Sequence, residues 1–420
     1  MIRQALQFQF VPYPLWRRKM PAFVRALSRP LLERAYPVQF DQHPPTQAGP
    51  LARWLAQHNL LCGESESEAR RYLAQQPATV EHSAQSTPPP ARGKIRVPAQ
   101  WEAAEQVLIT WPVLYPPLWA LHAQMVEGLT PVCAVSILVP APLWAQAAHL
   151  FLRARAKADL SRLRFILLPT DDIWVRDYGP VVGHDEEGET AAVYGLYLTL
   201  PNYPQQRDRA AAARWAAHEE LPARALNLRT EGGNLWSDGQ GTLIMSQQVF
   251  HSNPHLSRGE IEERLHEVFI FDKLILLPRL KREETGHIDL LVKLADARTA
   301  LMTAPTLFYN GSVLRKARWQ LEHETNARGE RYHVLELPAL PPYLNWLGFP
   351  IWRSYTNALT INGRVLVPVY GVAQDTAALE TYQRAMPGYT VIGIDCKAGV
   401  NGGGAVHCLT KEVPQSQKRL

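Results

Sequence analysis

The chain has 420 residues, enough for one large domain or two ordinary ones, and its 46% hydrophobic and 20% charged content is a globular balance. A formal net charge of +5 is small for this size and does not point to nucleic acid. Four cysteines (Cys62, Cys133, Cys396, Cys408) without Cys-x-x-Cys spacing argue against a disulfide framework and a structural zinc site, and no apolar run of about 18 residues predicts a membrane span.

The N-terminal segment carries Arg17-Arg18-Lys19 but no long apolar stretch, so it does not read as a secretory signal. A reducing cytoplasm, where a free catalytic thiol persists, is the expected location. Residues 1–95 are expected to form an extension that is poorly ordered or accessory. Prolines such as Pro12, Pro14, Pro30, Pro37, Pro44 and Pro45 interrupt its first half. Cys62 to Leu73 reads as a short charged helix, and Ser83 to Gly93, with Pro88-Pro89-Pro90, as an extended linker.

From Arg96 to the end the pattern becomes α/β. Apolar runs at 106–110, 132–139 and 164–168 predict strands, separated by helices at 117–129 and 141–156. A polar loop follows, Thr170-Asp171-Asp172-Ile173-Trp174-Val175-Arg176-Asp177-Tyr178-Gly179-Pro180. Strands at 180–182, 190–194 and 225–228 flank a helix at 207–219. A polar cluster, Glu231-Gly232-Gly233-Asn234, precedes a strand at 242–246. The next helix, 257–268, opens on a Ser257/Glu260 capping box and leads to a strand at 273–277. A third cluster, Glu283 to Asp289, runs into strands at 290–294 and 300–303, a helix at 312–323 and a strand at 332–335. Strands at 357–361 and 364–368 are joined by Asn362-Gly363, a strong hairpin signal. A helix at 375–386 and a strand at 389–394 complete the last unit. The rhythm strand, strand, helix, strand recurs without a sequence repeat, and the polar clusters fall at strand ends, where such scaffolds place their sites.

The chemistry concentrates near the C-terminus, in Asn401-Gly402-Gly403-Gly404-Ala405-Val406-His407-Cys408-Leu409-Thr410. Three glycines allow close backbone approach beside a candidate thiolate nucleophile, Cys408. The dinucleotide cradle is a poor alternative, because its third glycine position is His407 and no βαβ unit follows. An ordinary turn with a buried cysteine stays open at this level. Taken together, the clusters add His287 and three carboxylates, Asp177, Glu231 and Asp289. A thiol and an imidazole suit attack on an electrophilic carbon, and the carboxylates suit a cation. A guanidinium fits, being planar and a donor of five N–H bonds that pairs bidentately with carboxylates. His287 could then act as general acid and base. His287 and Asp289, two residues apart, are expected on one side of a strand, an arrangement that also suits a metal pair. Trp111 and Trp174 could wall a cationic pocket, although for either one alone core packing is the more ordinary reading.

These motifs resemble the agmatine deiminase / Porphyromonas-type peptidylarginine deiminase family. The resemblance runs over about residues 96 to 411. It is carried by Val97-Pro98-Ala99-Gln100-Trp101-Glu102, Leu108-Ile109-Thr110-Trp111-Pro112, Trp174-Val175-Arg176-Asp177-Tyr178-Gly179-Pro180, Glu231-Gly232-Gly233-Asn234, Gly286-His287-Ile288-Asp289 and Gly402 to Thr410. It implies a pentein fold, an α/β-propeller of five ββαβ units about a pseudo-five-fold axis. It also implies Cys408 as nucleophile, His287 as general acid/base, Asp177 and Asp289 as guanidinium-binding carboxylates, and Glu231 as an orienting acid. The implied reaction is hydrolysis of a guanidino C–N bond through a cysteine thiouronium, with agmatine the first substrate and peptidyl-arginine or another small guanidine the second. A binding protein without turnover is the alternative of another class. No metal or organic cofactor is implied. The expected partner is a small cationic guanidino compound, with no nucleic acid and no membrane, and self-association into a homo-oligomer is left open. Two departures bear on the substrate. Val193-Tyr194-Gly195-Leu196-Tyr197-Leu198 stands where such deiminases usually have Trp-Gly-Gly-Lys, and Leu290 where they commonly have Asn.

Overall fold

The computed structural model describes residues 21–35, 44–75, 80–82, 87–113, 115–197, 205–281, 283, 285–306, 310–344 and 350–417. The basic Arg17-Arg18-Lys19 segment and the first part of the expected linker, Ser83 to Ser86, lie outside these residues.

The chain starts with helices α1 (Ala22–Ala35), α2 (Ala48–Gln57) and α3 (Glu66–Leu73), then short strands β1 (Val80–His82) and β2 (Ile95–Arg96). The first unit contains β3 (Ala104–Thr110), α4 (Trp119–Leu129) and β4 (Ala134–Val139), extended by α5 (Pro142–Arg155) and β5 (Leu163–Leu167). The second has β6 (Val181–Asp185), β7 (Thr190–Gly195), α6 (Gln206–His218) and β8 (Ala223–Leu226). The third has β9 (Trp236–Ser237), β10 (Thr242–Ser246), α7 (Arg258–Val268) and β11 (Lys273–Leu277). The fourth has β12 (Val292–Leu294), β13 (Thr299–Thr303), α8 (Gly311–His323) and β14 (His333–Leu337). A short hairpin, β15 (Tyr343–Leu344) with β16 (Pro350–Ile351), leads to the fifth: β17 (Leu359–Ile361), β18 (Arg364–Val369), α9 (Gln374–Ala385) and β19 (Thr390–Asp395). The last strand, β20 (Lys411–Pro414), returns to the first unit and pairs antiparallel with β3.

Every unit therefore has the same plan. Two strands are antiparallel, with β20 supplying the outer one beside β3 in the first unit, and a helix carries the chain from the second to a third strand parallel to it. This is the five-unit pentein arrangement, closed by β20. Local sequence sets its details. Pro142 opens α5 at a position where a missing N–H is harmless. Ser257 and Glu260 make the expected capping box on α7. Asn362 and Gly363 both take positive φ, the signature of the tight type I′ hairpin between β17 and β18.

The described part of the N-terminal extension packs onto the domain. Helix α2 buries Leu51, Trp54 and Leu55, and Trp54 meets Trp144 edge-to-face at 5.5 Å and Trp119 at 6.1 Å. Strand β1 adds to the edge of β5. The Pro-rich stretch is not a free linker at its C-terminal end: Ala223 donates to the Pro89 carbonyl and Ala91 donates back to that of Ala223. The charged helix begins later than Cys62, at Glu66, because Ser65 caps it through Glu68. Among the described residues no helix is long and apolar enough to cross a membrane.

Candidate active site

The loops that enter the first strand of each unit converge, and each brings one polar side chain, or two in the loop before β12. Asp177 precedes β6, Glu231 precedes β9, His287 and Asp289 precede β12, Asn357 precedes β17, and Cys408 precedes β20. The equivalent place in five units thus supplies the whole constellation. Glycines permit the close approach. A Cβ on Gly233 would lie 2.5 Å from His287 Nδ1 and 2.7 Å from Asp177 Oδ1. One on Gly404 would lie 2.5 Å from the Trp174 ring and 3.0 Å from Cys408 Cβ. The shortest distance at each glycine, 2.5 Å, is below what a real Cβ shows, so both motif glycines are steric requirements.

On one side sits His287. Its Nε2 is 2.5 Å from Glu231 Oε2 and its Nδ1 is 3.4 Å from Asp177 Oδ1. Burial works against a charge on this ring, but Asp177, Glu231 and Asp289 together raise its pKa to about 10. It is an imidazolium at neutral pH. Burial lifts Asp177 to about 7, with Glu231 and Asp289 adding to the rise and His287 opposing it. Its Oδ1 is buried and accepts no hydrogen bond among the described residues.

On the other side, Cys408 Sγ accepts from Asn357 Nδ2 at 3.1 Å and lies 3.7 Å from Asp289 Oδ2. Burial pushes this thiol well above its ordinary pKa, and the charges of Asp289 and Asp177 push it further. Asp289 Oδ2 also accepts from Asn357 Nδ2 at 2.9 Å and is 2.6 Å from His407 Nδ1, whereas its Oδ1 is buried and accepts no hydrogen bond among the described residues. Burial raises Asp289 to about 6 against the opposing pull of His287 and Arg176. Asn357 also holds the nucleophile loop: its Oδ1 accepts from the backbone N–H groups of Ala405 and Cys408.

A separate charged group lies behind the nucleophile loop. Arg176, 2% exposed at its side chain, forms a bidentate pair with Glu412 at 3.0 and 2.5 Å and donates through Nε to the His407 carbonyl. Its backbone N–H donates to the Cys408 carbonyl. One residue therefore ties the Asp177 loop to the nucleophile loop.

The structure brings Cys408, His287, Glu231, Asp177 and Asp289 together and places Trp174 beside Cys408. Trp111 belongs elsewhere: it is 1% exposed and packs edge-to-face on Trp119 at 4.9 Å and near Phe151, in the core beneath α2. It faces inward because it ends a strand whose residues are buried between helices. His287 and Asp289 do not share a strand face. His287 is the N-cap of a single 3-10 turn, Ile288–Leu290, and Asp289 is its middle residue, so one reaches Glu231 and the other Cys408; the strand starts only at Val292. Among the described residues no group of three or more His, Cys, Asp and Glu is arranged for a metal. Asn357 escaped the sequence reading because it was assigned to a strand that begins at Leu359. Its signal is positional: it occupies the loop that carries the catalytic residue in the other units. Leu290, one of the two departures, is buried with Ile288 and Val292 in the core and does not line the site.

Comparison with known proteins agrees with this geometry. A family model for Porphyromonas-type peptidyl-arginine deiminase matches residues 96–414. Agmatine deiminase from Pseudomonas aeruginosa (strain LESB58) is 28% identical over 365 residues, covering 79% of this chain and 99% of the relative. Agmatine deiminase from Pseudomonas fluorescens is 29% identical over 360 residues, covering 77% and 96%. Among solved structures, the agmatine deiminase of Enterococcus faecalis superposes with a TM-score of 0.69 at 21% identity, covering 78% of this chain and 100% of that one, a likeness of fold. The chain belongs to the Porphyromonas-type peptidyl-arginine deiminase family and is a hydrolase of C–N bonds.

Proposed function

We propose that the chain deiminates agmatine to N-carbamoylputrescine and ammonia through a covalent intermediate on Cys408. The observation that carries the guanidino reading is the pair of buried carboxylates, Asp177 and Asp289, each with an Oδ1 that accepts no hydrogen bond, beside a thiol and an imidazolium. A donor-only, planar cation completes both. Agmatine is preferred because the relatives just described carry that activity in their names over nearly their full length.

The resting thiol is neutral, held so by burial and by the two aspartates. A bound guanidinium cancels that negative field and favours the thiolate. Asp289 Oδ2, 3.7 Å from Sγ, is the adjacent carboxylate for the thiol proton. Sγ then bonds to the central guanidinium carbon. The carbon–nitrogen bond to one terminal amine breaks, and His287 supplies the proton with which ammonia leaves. Neutral His287, oriented by Glu231, next takes a proton from water as the oxygen adds to the thiouronium carbon. The tetrahedral adduct expels the sulfur, which takes the hydroxyl proton, and Asp289 gives up the proton it took to solvent, where ammonia becomes ammonium; the neutral ureido product and the starting enzyme remain.

A screen of agmatine, free arginine and arginyl peptides for ammonia and ureido product tests this. Turnover best on arginyl peptides would replace the substrate and keep the chemistry. Tight binding of guanidines with no ammonia from any of them would make the chain a binding protein.

A further inference from the structure

His407, next to the nucleophile in sequence, does not approach its sulfur; its ring turns away into the molecular axis. There it is 1% exposed and joins a linear network assembled from three units. Its Nδ1 is 2.6 Å from Asp289 Oδ2, and its Nε2 is 2.8 Å from Gln100 Nε2. Gln100 Oε1 is 2.5 Å from Lys293 Nζ and accepts from the Thr360 N–H at 3.3 Å. The indole of Trp236 stacks on the His407 ring at 4.8 Å, and Lys293 Nζ lies 4.6 Å from the centre of the indole.

The hydrogen positions follow from donor and acceptor counts. The Thr360 backbone N–H can only donate, so the Gln100 oxygen must face it, and Lys293, whose pKa burial lowers to about 7, donates to the same oxygen. The reverse amide would aim its NH2 at the Thr360 N–H. Gln100 therefore presents N–H to His407 Nε2, which must be unprotonated. The single ring proton is on Nδ1 and points at Asp289. The charged groups facing this ring are Asp289 on one side and Arg176, Lys293, Lys411 and His287 around it. The cations favour the neutral form that Gln100 requires.

Resting on the guanidino reading above, we propose that His407 is a positioning residue: Gln100 and Lys293 lock it as the Nδ1–H tautomer, and it holds Asp289 so that Oδ1 stays free for substrate. Asp289 Oδ2 is held by His407 and Asn357 at 2.6 and 2.9 Å, with the Cys408 thiol beside it at 3.7 Å. Without the imidazole, the carboxylate can rotate and lose the alignment of Oδ1 with the guanidinium. The residue before the nucleophile is thus a specificity element acting through the carboxylate.

The test uses two amides of different reach. His407→Asn can place its NH2 near the former Nδ1, whereas His407→Gln reaches toward the former Nε2 and leaves Asp289 without that donor. Loss of a hydrogen bond to a charged group predicts that His407→Gln lowers kcat/KM for the best guanidino substrate roughly 10- to 100-fold, mostly through KM. His407→Asn should stay within about 5-fold of wild type, as a retained charge-assisted bond implies. Equal losses in two folded variants, or wild-type activity in His407→Gln, would overturn the proposal. Independently of folding and of turnover, two-bond 1H–15N spectra of histidine-labelled wild-type enzyme, assigned with the His407→Asn spectrum or by sequential connectivity, should show His407 neutral and protonated at Nδ1 throughout the neutral range. A ring protonated at Nε2, or at both nitrogens, would refute the tautomer lock even if the enzyme proves to act on a different guanidine or on none.

Discussion

His287 and His407 are both buried and both bonded to a carboxylate, yet they carry opposite charge states. His287 faces Asp177 and Glu231 and is held as an imidazolium, with a pKa of about 10. His407 faces Asp289, but Arg176, Lys293 and Lys411 surround it, and burial together with these cations drives its pKa well below the ordinary value. Burial alone disfavours the charge on either ring. The difference teaches that the count and sign of neighbours decide which histidine exchanges protons. One side of the axis is a reactive cluster rich in carboxylates; the other is a scaffold in which the charges of Arg176 and Glu412 are matched.

If that division holds, changes on the reactive side remove turnover and leave the fold, and changes on the scaffold side cost stability or, at His407, substrate affinity rather than chemistry. The largest effect is expected from Cys408→Ser, which should lose kcat on the order of 10⁴-fold or more at unchanged melting temperature, as for other lost nucleophiles. Mass spectrometry of quenched wild-type enzyme should find the adduct on Cys408; finding it on Cys133 or Cys396 would move the nucleophile. Next comes Arg176→Met, which leaves the partly buried Glu412 without its partner and should destabilise the protein by about 2–3 kcal/mol in chemical denaturation, less than a fully buried pair would cost. A variant as stable as wild type but inactive would put Arg176 on the reactive side.

Asp177→Asn should lower kcat/KM by roughly 30-fold or more, since about 2 kcal/mol is lost when a desolvated cation loses a charged partner. Asp171→Asn is the control in the same loop, because Asp171 reaches outward to Arg207 at 3.8 Å. Near-wild-type kcat/KM in Asp177→Asn would leave the guanidinium reading without its main support. The smallest effect is a pH shift. His287 has a raised folded pKa, so its ion-pair stabilisation is complete below its ordinary pKa of 6.5 and is lost as pH rises through about 10. Glu231→Gln removes one group that raises it. The basic limb of the kcat profile should therefore move down, by about one pH unit or more. An unmoved limb would show that the limb does not report His287.

Much of this was legible before the structure. Asp177, Glu231, His287, Asp289 and Cys408 stand out because polar clusters interrupt apolar runs at strand ends. Asn357 does not, since Thr356 and Asn357 merge into the apolar Leu359 to Ile361 run and read as its beginning. Trp111 failed in the opposite sense: a tryptophan at a strand end carries no mark of whether it faces a cavity or a helix. The extension's role was obscured by its prolines, although Leu51, Trp54 and Leu55 in α2 have the spacing of a helix with one buried face. The lock on His407 was beyond reach, because Gln100, Lys293 and Asp289 are distant in sequence and only ring closure makes them neighbours.

That closure has a consequence for the birth of the enzyme. Strand β20 completes the sheet of β3, and Cys408 sits in the turn just before it. A ribosome delivers β3 about three hundred residues before its antiparallel neighbour. Through most of synthesis the edge of β3 awaits its partner, and the reactive sulfur does not yet exist. The emerging chain acquires a poised nucleophile only with the segment that shuts the ring, so a partly made protein is chemically silent toward guanidines.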